Sequence, residues 1–249
     1  MISRPIRVAV AVAAMWAAAA AQAQGITSEQ AKEILNELKQ IRQLIAGQAQ
    51  AAAPAPAPPV SDKVSMALPQ AGFSMGRADA PLTMVEFTDL QCPFCQSFHN
   101  TAFEDLKKNY IDAGKVRFIS RDYPLPFHEN AMRAAEAGRC AGEQGKFWEL
   151  RDVMIANADK LQQDKILDYA KALKLDAKTF QACVGSGKYR QSIADDIALG
   201  NAAGVSGTPT FVVGRVQNGQ LDGVRIVGAQ PYSEFEAKLQ ELLAGAPPK

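Results

Sequence analysis

Leu82 to Cys95 reads LTMVEFTDLQCPFC, and the reading of these fourteen residues decides the fold. Leu82 to Thr88 is rich in β-branched and apolar residues, as a strand requires. Pro93 is accommodated in a helix only in its first turn, where its missing N–H has no partner to lose. Cys92 therefore stands where a strand hands over to a helix, and the helix is expected from Cys92 to about Ala113, closed by Gly114. The position matters chemically. The thiolate is the reactive form of cysteine, and the unpaired N–H groups and partial positive charge of a helix N-terminus favour it. Cys95, three residues on, lies on the same helix face, so the two sulfurs can open and close a small ring. Cys92, nearer the helix end, is expected to be the exposed nucleophile and Cys95 the shielded resolving thiol.

Beyond the helix, Val116 to Ser120 (VRFIS) reads as a second strand, giving the strand–helix–strand unit of a parallel sheet. From Glu129 to Ala203 the pattern is helical, with helices expected at 129–142, 146–157, 163–173, 177–184 and 188–203. Gly142, Gly145, Asp176 and Gly185-Ser186-Gly187 punctuate them. Phe147, Trp148 and Tyr169 are expected to fill the core of this helical part. Strands return at Thr210 to Val213 and Val224 to Val227, joined by a connection over 214–223 that contains Asn218-Gly219. Tyr232 to Leu243 closes the chain as a helix.

Working back toward the N-terminus, Ala49 to Val60 (AQAAAPAPAPPV) has nothing with which to build a core and reads as an extended linker, placed over 49–65. Before it, Ile26 to Gly47 is helical. Thr27 and Gln30 fit a capping box and Gly47 fits a stop. Ile34, Leu38, Ile41 and Ile45 recur at steps of four, three and four, a heptad-like stripe with Leu35 and Leu44 beside it. Arg4 and Arg7, the apolar run from Val8 and Ala21-Gln22-Ala23 read as a secretory signal peptide cleaved after Ala23. An uncleaved anchor is the alternative, though the run is short and Ala-rich for a span of ~20 apolar residues. Without Arg4 and Arg7 the chain carries 25 Lys and Arg against 26 Asp and Glu, a net charge of −1. That balance argues against nucleic acid or an anionic membrane as the main partner.

All four cysteines follow the cleavage site, and an even number in an exported chain suggests disulfides. A zinc site would need four ligands. His99 could be a third beside Cys92 and Cys95, but no second Cys-x-x-Cys or His pair is available, and no metal or other cofactor is expected. His99 lies on the active-site helix and could tune Cys92 if it faces that way; His128 reads as a packing residue. Phe94 is the better placed of Phe94 and Phe98 to touch a substrate.

The segments MGRADAPLTMVEFTDLQCPFCQSF, YPLPFHENAMRAAEAGRCAGEQGKFWEL and GVSGTPTFVVG, in this order, resemble the DsbA-like thiol:disulfide oxidoreductases of the thioredoxin superfamily, over roughly residues 70 to 245. The resemblance implies an α/β thioredoxin fold (66–249) with an inserted all-helical subdomain at about 127–203. An amphipathic helix (24–48) and the Pro/Ala-rich linker precede it, outside the resemblance. Further implied roles are a buried acid at Glu86 that moves the proton of the resolving Cys95, and a cis bond at Thr208-Pro209 that presents the Thr208 backbone to a bound peptide, flanked by Pro93 and Phe94. Glu86, beneath an apolar sheet, is expected to have a raised pKa. With Cys92 and Cys95 paired, Cys140 and Cys183 are left to pair together, as a second pair does in some such relatives; two buried free thiols are the alternative.

The expected activity is disulfide exchange with reduced or misoxidised exported proteins in the periplasm, foremost as a dithiol oxidase. The alternatives are an isomerase or reductase acting as an oligomer and a non-catalytic chaperone on the same scaffold. The resemblance also implies a membrane redox partner, DsbB-like or DsbD-like. Self-association through residues 27–46 would bury the apolar stripe.

Overall fold

The computed structural model describes residues 27–51, 62–69 and 72–245, with side chains from 43 to 51 outside that description. The expected signal peptide and residues 52–61 of the linker lie outside the described residues. The chain divides into two units, one to Val60 and one from Ser61 onward.

The first unit contains helix α1, Ser28–Ala51. Its capping box forms: the Gln30 N–H donates to Thr27 Oγ1 at 3.2 Å and the Thr27 N–H to Gln30 Oε1 at 3.0 Å. Ile34, Leu35, Leu38 and Ile41 are exposed. The helix runs through Gly47, where a stop was expected, because glycine weakens a helix interior by only ~1 kcal/mol.

The second unit is built on a six-stranded sheet of order β1-β6-β5-β3-β4-β2. The strands are β1 Lys63–Ala67, β2 Phe73–Met75, β3 Leu82–Thr88, β4 Val116–Asp122, β5 Thr210–Gln217 and β6 Gln220–Val227. Only β3 and β4 run parallel, joined by helix α2 at 93–111. Between β4 and β5 come α3 Ala131–Gly142, α4 Phe147–Ala156, α5 Gln163–Ala172, α6 Ala177–Ser186 and α7 Arg190–Ala202; α8 Tyr232–Ala244 closes the unit. Leu82, Met84, Phe98, Phe118, Phe211 and Phe235 pack on one face of the sheet. Val85, Phe87, Ile119 and Val212 pack on the other. The insertion has its own core of Leu150, Met154, Ile166, Phe180 and their neighbours. Arg139 of α3 ties it to the sheet unit by reaching Asp122 of β4 at 2.6 Å and Asp196 of α7 at 2.5 Å.

Four expectations need correction. The linker was read through residue 65, but Lys63–Ala67 is strand β1, paired with β6 and anchored by buried Met66. Strand β2, three residues long, was not foreseen at all. The connection read over 214–223 is only Asn218-Gly219, both at positive φ as a tight hairpin turn requires. Gly214 and Gly223 looked like loop residues, yet they face each other inside the ladder, where a Cβ on either would come 2.0 Å from the opposite backbone. Finally, Phe147 and Trp148 do not fill the insertion core. Phe147 stacks on Phe73 with ring centroids 3.6 Å apart, and Trp148 packs toward Phe118 on the sheet.

Candidate active site

Alternation along β3 sends Met84, Glu86 and Thr88 to one face. Helical spacing brings Cys95, Phe98, His99 and Ala102 to the helix face that covers it. The site follows from crossing these two patterns.

Cys92 occupies the N-cap of α2 with Pro93 behind it, and its N–H donates to the Asp89 carbonyl at 3.0 Å. The nucleophile was expected to be exposed. Instead Cys92 is 3% exposed, because the loop before β5 closes over it, and its Sγ lies 3.4 Å from the Thr208 carbonyl oxygen. The exposed surface belongs to Pro93 and Phe94. The Thr208-Pro209 bond is cis. The Thr208 hydroxyl is buried with no hydrogen-bond partner, a donor within reach of a thiolate.

Cys92 and Cys95 are both free thiols in very different surroundings. A hydrogen bond from the Cys95 thiol, aided by Thr208 and the helix N–H groups, outweighs burial and lowers the Cys92 pKa to about 5. Cys95 is fully buried, and burial, together with its proton shared toward Cys92 and the charge of Glu86, pushes it well above the ordinary thiol value.

Glu86 departs from expectation. Burial alone would raise its carboxyl, but Arg151 of α4 pairs with it and His99 lies 3.3 Å from Oε1. These partners outweigh burial and hold the Glu86 pKa below its usual value. The expectation of a raised pKa omitted Arg151, which is itself completely buried and also donates to Ser120 at 3.2 Å. His99 does not face Cys92; it joins Glu86 and Arg151. Burial and the Arg151 charge lower its pKa, so it is neutral at neutral pH.

His128 is more than a packing residue. Its Nδ1 meets the buried Asp89 Oδ2 at 2.7 Å, and the same carboxylate accepts the N–H groups of Gln91 and Leu125, both at 2.8 Å. Asp89 thus pins the loop carrying Phe127, 76% exposed, to the segment leading into Cys92. Cys140 of α3 and Cys183 of α6 are bonded, with Cα atoms 5.8 Å apart.

Arg151, Asp89 and Thr88 were missed in the sequence. Arg151 carried a signal: Phe147, Leu150 and Met154 mark the buried stripe of α4, and Arg151 falls on that stripe. A charge on an apolar face calls for a buried partner.

A family model described as Thioredoxin matches residues 69–239. Among curated proteins, Na(+)/H(+) antiporter NhaA 3 of Salinispora tropica is 37% identical over 162 residues, which are 64% of this chain and 24% of that protein. The chain spans about a quarter of the length of the curated relatives it matches. Among solved structures, oxidised BdbD from Bacillus subtilis superposes with a TM-score of 0.64 at 25% identity, over 74% of this chain and all of that one. Alpha-DsbA1 from Wolbachia pipientis gives a TM-score of 0.63 at 24% identity, over 71% of this chain and 94% of that one, a likeness of fold.

Proposed function

The chain belongs to the thioredoxin family, in its DsbA-like form, and we propose from that premise that it is an exported dithiol oxidase working through Cys92 and Cys95. The observation that carries this reading is the split between the two sulfurs, with the Cys92 pKa lowered to about 5 and that of Cys95 raised by burial. Stabilising the thiolate stabilises the reduced pair, and a stable reduced pair makes the disulfide a stronger oxidant. Phe94 cannot hydrogen-bond the thiolate as a histidine there could, but the Cys95 thiol and the helix N–H groups supply donors.

In the forward direction a client thiolate attacks Cys92 of the oxidised pair and Cys95 leaves. A second client thiolate then attacks the client sulfur held on Cys92. The client gains a disulfide, the pair is reduced, and a membrane redox partner, DsbB-like, restores it. The Thr208 backbone beside the Cys92 sulfur and the exposed faces of Pro93 and Phe94 suit an extended client segment. Cys140–Cys183 is then a structural brace outside the exchange. The proposed compartment is the periplasm, reached by cleavage after Ala23; among the described residues no helix is long and apolar enough to cross a membrane.

The exposed stripe of Ile34, Leu38 and Ile41 favours a second reading, an isomerase or reductase assembled through α1 and kept reduced by a DsbD-like partner. Trapping tests the chemistry common to both. Cys95→Ser should accumulate mixed disulfides through Cys92, and Cys92→Ser should accumulate none. Equal trapping by the two variants would overturn the assignment, and the resting thiol state of the pair in the exporting cell separates oxidase from isomerase.

A further inference from the structure

Cys95 must gain or lose a proton each time its sulfur leaves or attacks, yet it and Glu86 are both fully buried. The Thr88 hydroxyl is buried, is committed to no hydrogen bond, and lies near both the Cys95 thiol and the Glu86 carboxylate. On the far side of Glu86 stands His99, whose Nε2 lies 3.3 Å from Glu86 Oε1 and 2.9 Å from a terminal nitrogen of Arg151. A guanidinium only donates, so Nε2 receives that hydrogen bond and the ring proton sits on Nδ1. The one Nε2 lone pair is thus held by Arg151 at rest, 3.3 Å from the carboxylate oxygen, and can take a proton that arrives on Glu86. Its side chain is 7% exposed, against none for Glu86 and 1% for Arg151. Helix α2 also changes winding here, passing into wider π-type turns over His99–Phe103, a departure that frequently accompanies functional positions.

We propose that His99 is the proton carrier between the buried site and solvent, completing the path Cys95–Thr88–Glu86–His99, with Arg151 as the positioning residue that holds Glu86 and the imidazole in register. The inference rests on the reading of Cys92 and Cys95 as the redox pair. Glu86 cannot store the proton well, because Arg151 favours its ionised form. Passing the proton to His99 restores the carboxylate and leaves it between two cations. The groups facing His99 are Glu86 from β3, Arg151 and Asp152 from α4, and the rings of Phe98 and Phe103 on its own helix. Asp152 has a 58% exposed side chain and marks the exit to water.

The resolving step balances as follows. The Cys95 S–H bond breaks, its electron pair stays on sulfur, and that sulfur attacks Cys92 in a mixed disulfide. The bond from Cys92 to the partner sulfur breaks and the partner leaves as a thiolate. The proton crosses Thr88 Oγ1 to the Glu86 carboxylate, which is neutral only while it holds that proton and then passes it to His99 Nε2. In the oxidase direction the same path delivers a proton to the departing Cys95.

The test mixes the reduced full chain with oxidised glutathione, quenches in acid across the pH range, and separates the Cys92–glutathione adduct from the internal disulfide by mass. In His99→Gln, adduct formation at Cys92 should be unchanged, while adduct resolution by Cys95 slows about a hundredfold, the scale of a lost general base. Its remaining rate should follow hydroxide in place of the parent's titration, which lies below the ordinary histidine value. Thr88→Val, close in shape to the parent, should slow the same step. Resolution at the parental rate and pH profile in both variants would overturn the relay. So would equal slowing of adduct formation, the mark of a merely structural role. A parent that forms no adduct at Cys92 would overturn the redox reading itself.

Discussion

Replacing Arg151 by Met isolates the buried charge pair. The methionine keeps most of the apolar stem and loses the guanidinium, whose Cζ lies 5.5 Å from the Trp148 ring centroid. Glu86 is then a carboxylate with no exposure and no cationic partner, keeping only the neutral His99 and Thr88 beside it. Breaking one side of such a pair costs about 3–5 kcal/mol, because the remaining charge is left desolvated. A domain of this size holds about 5–15 kcal/mol in all, so the variant should still fold, with a melting temperature lower on the order of 10 °C. The pH dependence identifies the cause. In the parent the Glu86 pKa is held below its ordinary value, so its contribution is present above the unfolded-state pKa and is lost as pH falls through the folded one. In the variant burial, the largest influence, is no longer offset by Arg151 and raises the pKa, so the variant gains stability relative to the parent as pH falls and the carboxyl takes up a proton. The gap between them should narrow on acidification. Adding Glu86→Gln should recover part of the loss at neutral pH. Urea unfolding of the oxidised proteins, which removes Cys92 titration from the comparison, measures all three. A gap that does not change with pH, or a cost under about 1 kcal/mol, would refute the reasoning.

Alkylation of the reduced protein should report a Cys92 midpoint near pH 5, and thiolate absorbance should follow the same curve. The stability this lends the reduced form is complete above the unfolded thiol value and is lost as pH falls to about 5; a midpoint above ~8, that of an ordinary thiol, would contradict the site's geometry. Replacing both Cys140 and Cys183 by Ala removes a bridge across 43 residues, worth ~4 kcal/mol on the chain-entropy model, and should lower the denaturation midpoint with the active-site pair intact. An unchanged midpoint would deny that the bridge braces the insertion. Light scattering should find the chain from Gln24 self-associated and a chain starting at Val60 monomeric. A monomer of the longer chain at tens of micromolar would remove the case for assembly through α1.

The local part of the site was legible because it is written in consecutive residues. A β-rich run, a Cys-x-x-Cys and a proline compatible only with a first helical turn place both sulfurs at a strand–helix junction. Glu86 was found by its offset from Cys92, and its burial followed from the strand. Its protonation did not follow, since that depends on Arg151, 65 residues away on another helix. The exposure expected for Cys92 failed for the same reason: the loop of Thr208 that covers it is 116 residues distant in the chain.

By itself, then, the sequence determined the position of the proposed redox pair at a strand–helix junction, the α/β order of elements with a helical insertion, and a capped amphipathic helix ahead of a proline-rich stretch. These rest on short-range patterns, namely alternation in strands, three-and-four spacing in helices, and the backbone limits of proline. Tertiary structure alone decided the edge strands β1 and β2, whose few residues carry too little pattern of their own and are strands because β6 and β4 hydrogen-bond to them. It likewise decided which of two thiols is acidic, which charge Glu86 meets and where His99 points. Each of these is an electrostatic balance between burial and a partner, and burial and partners are properties of the packed molecule.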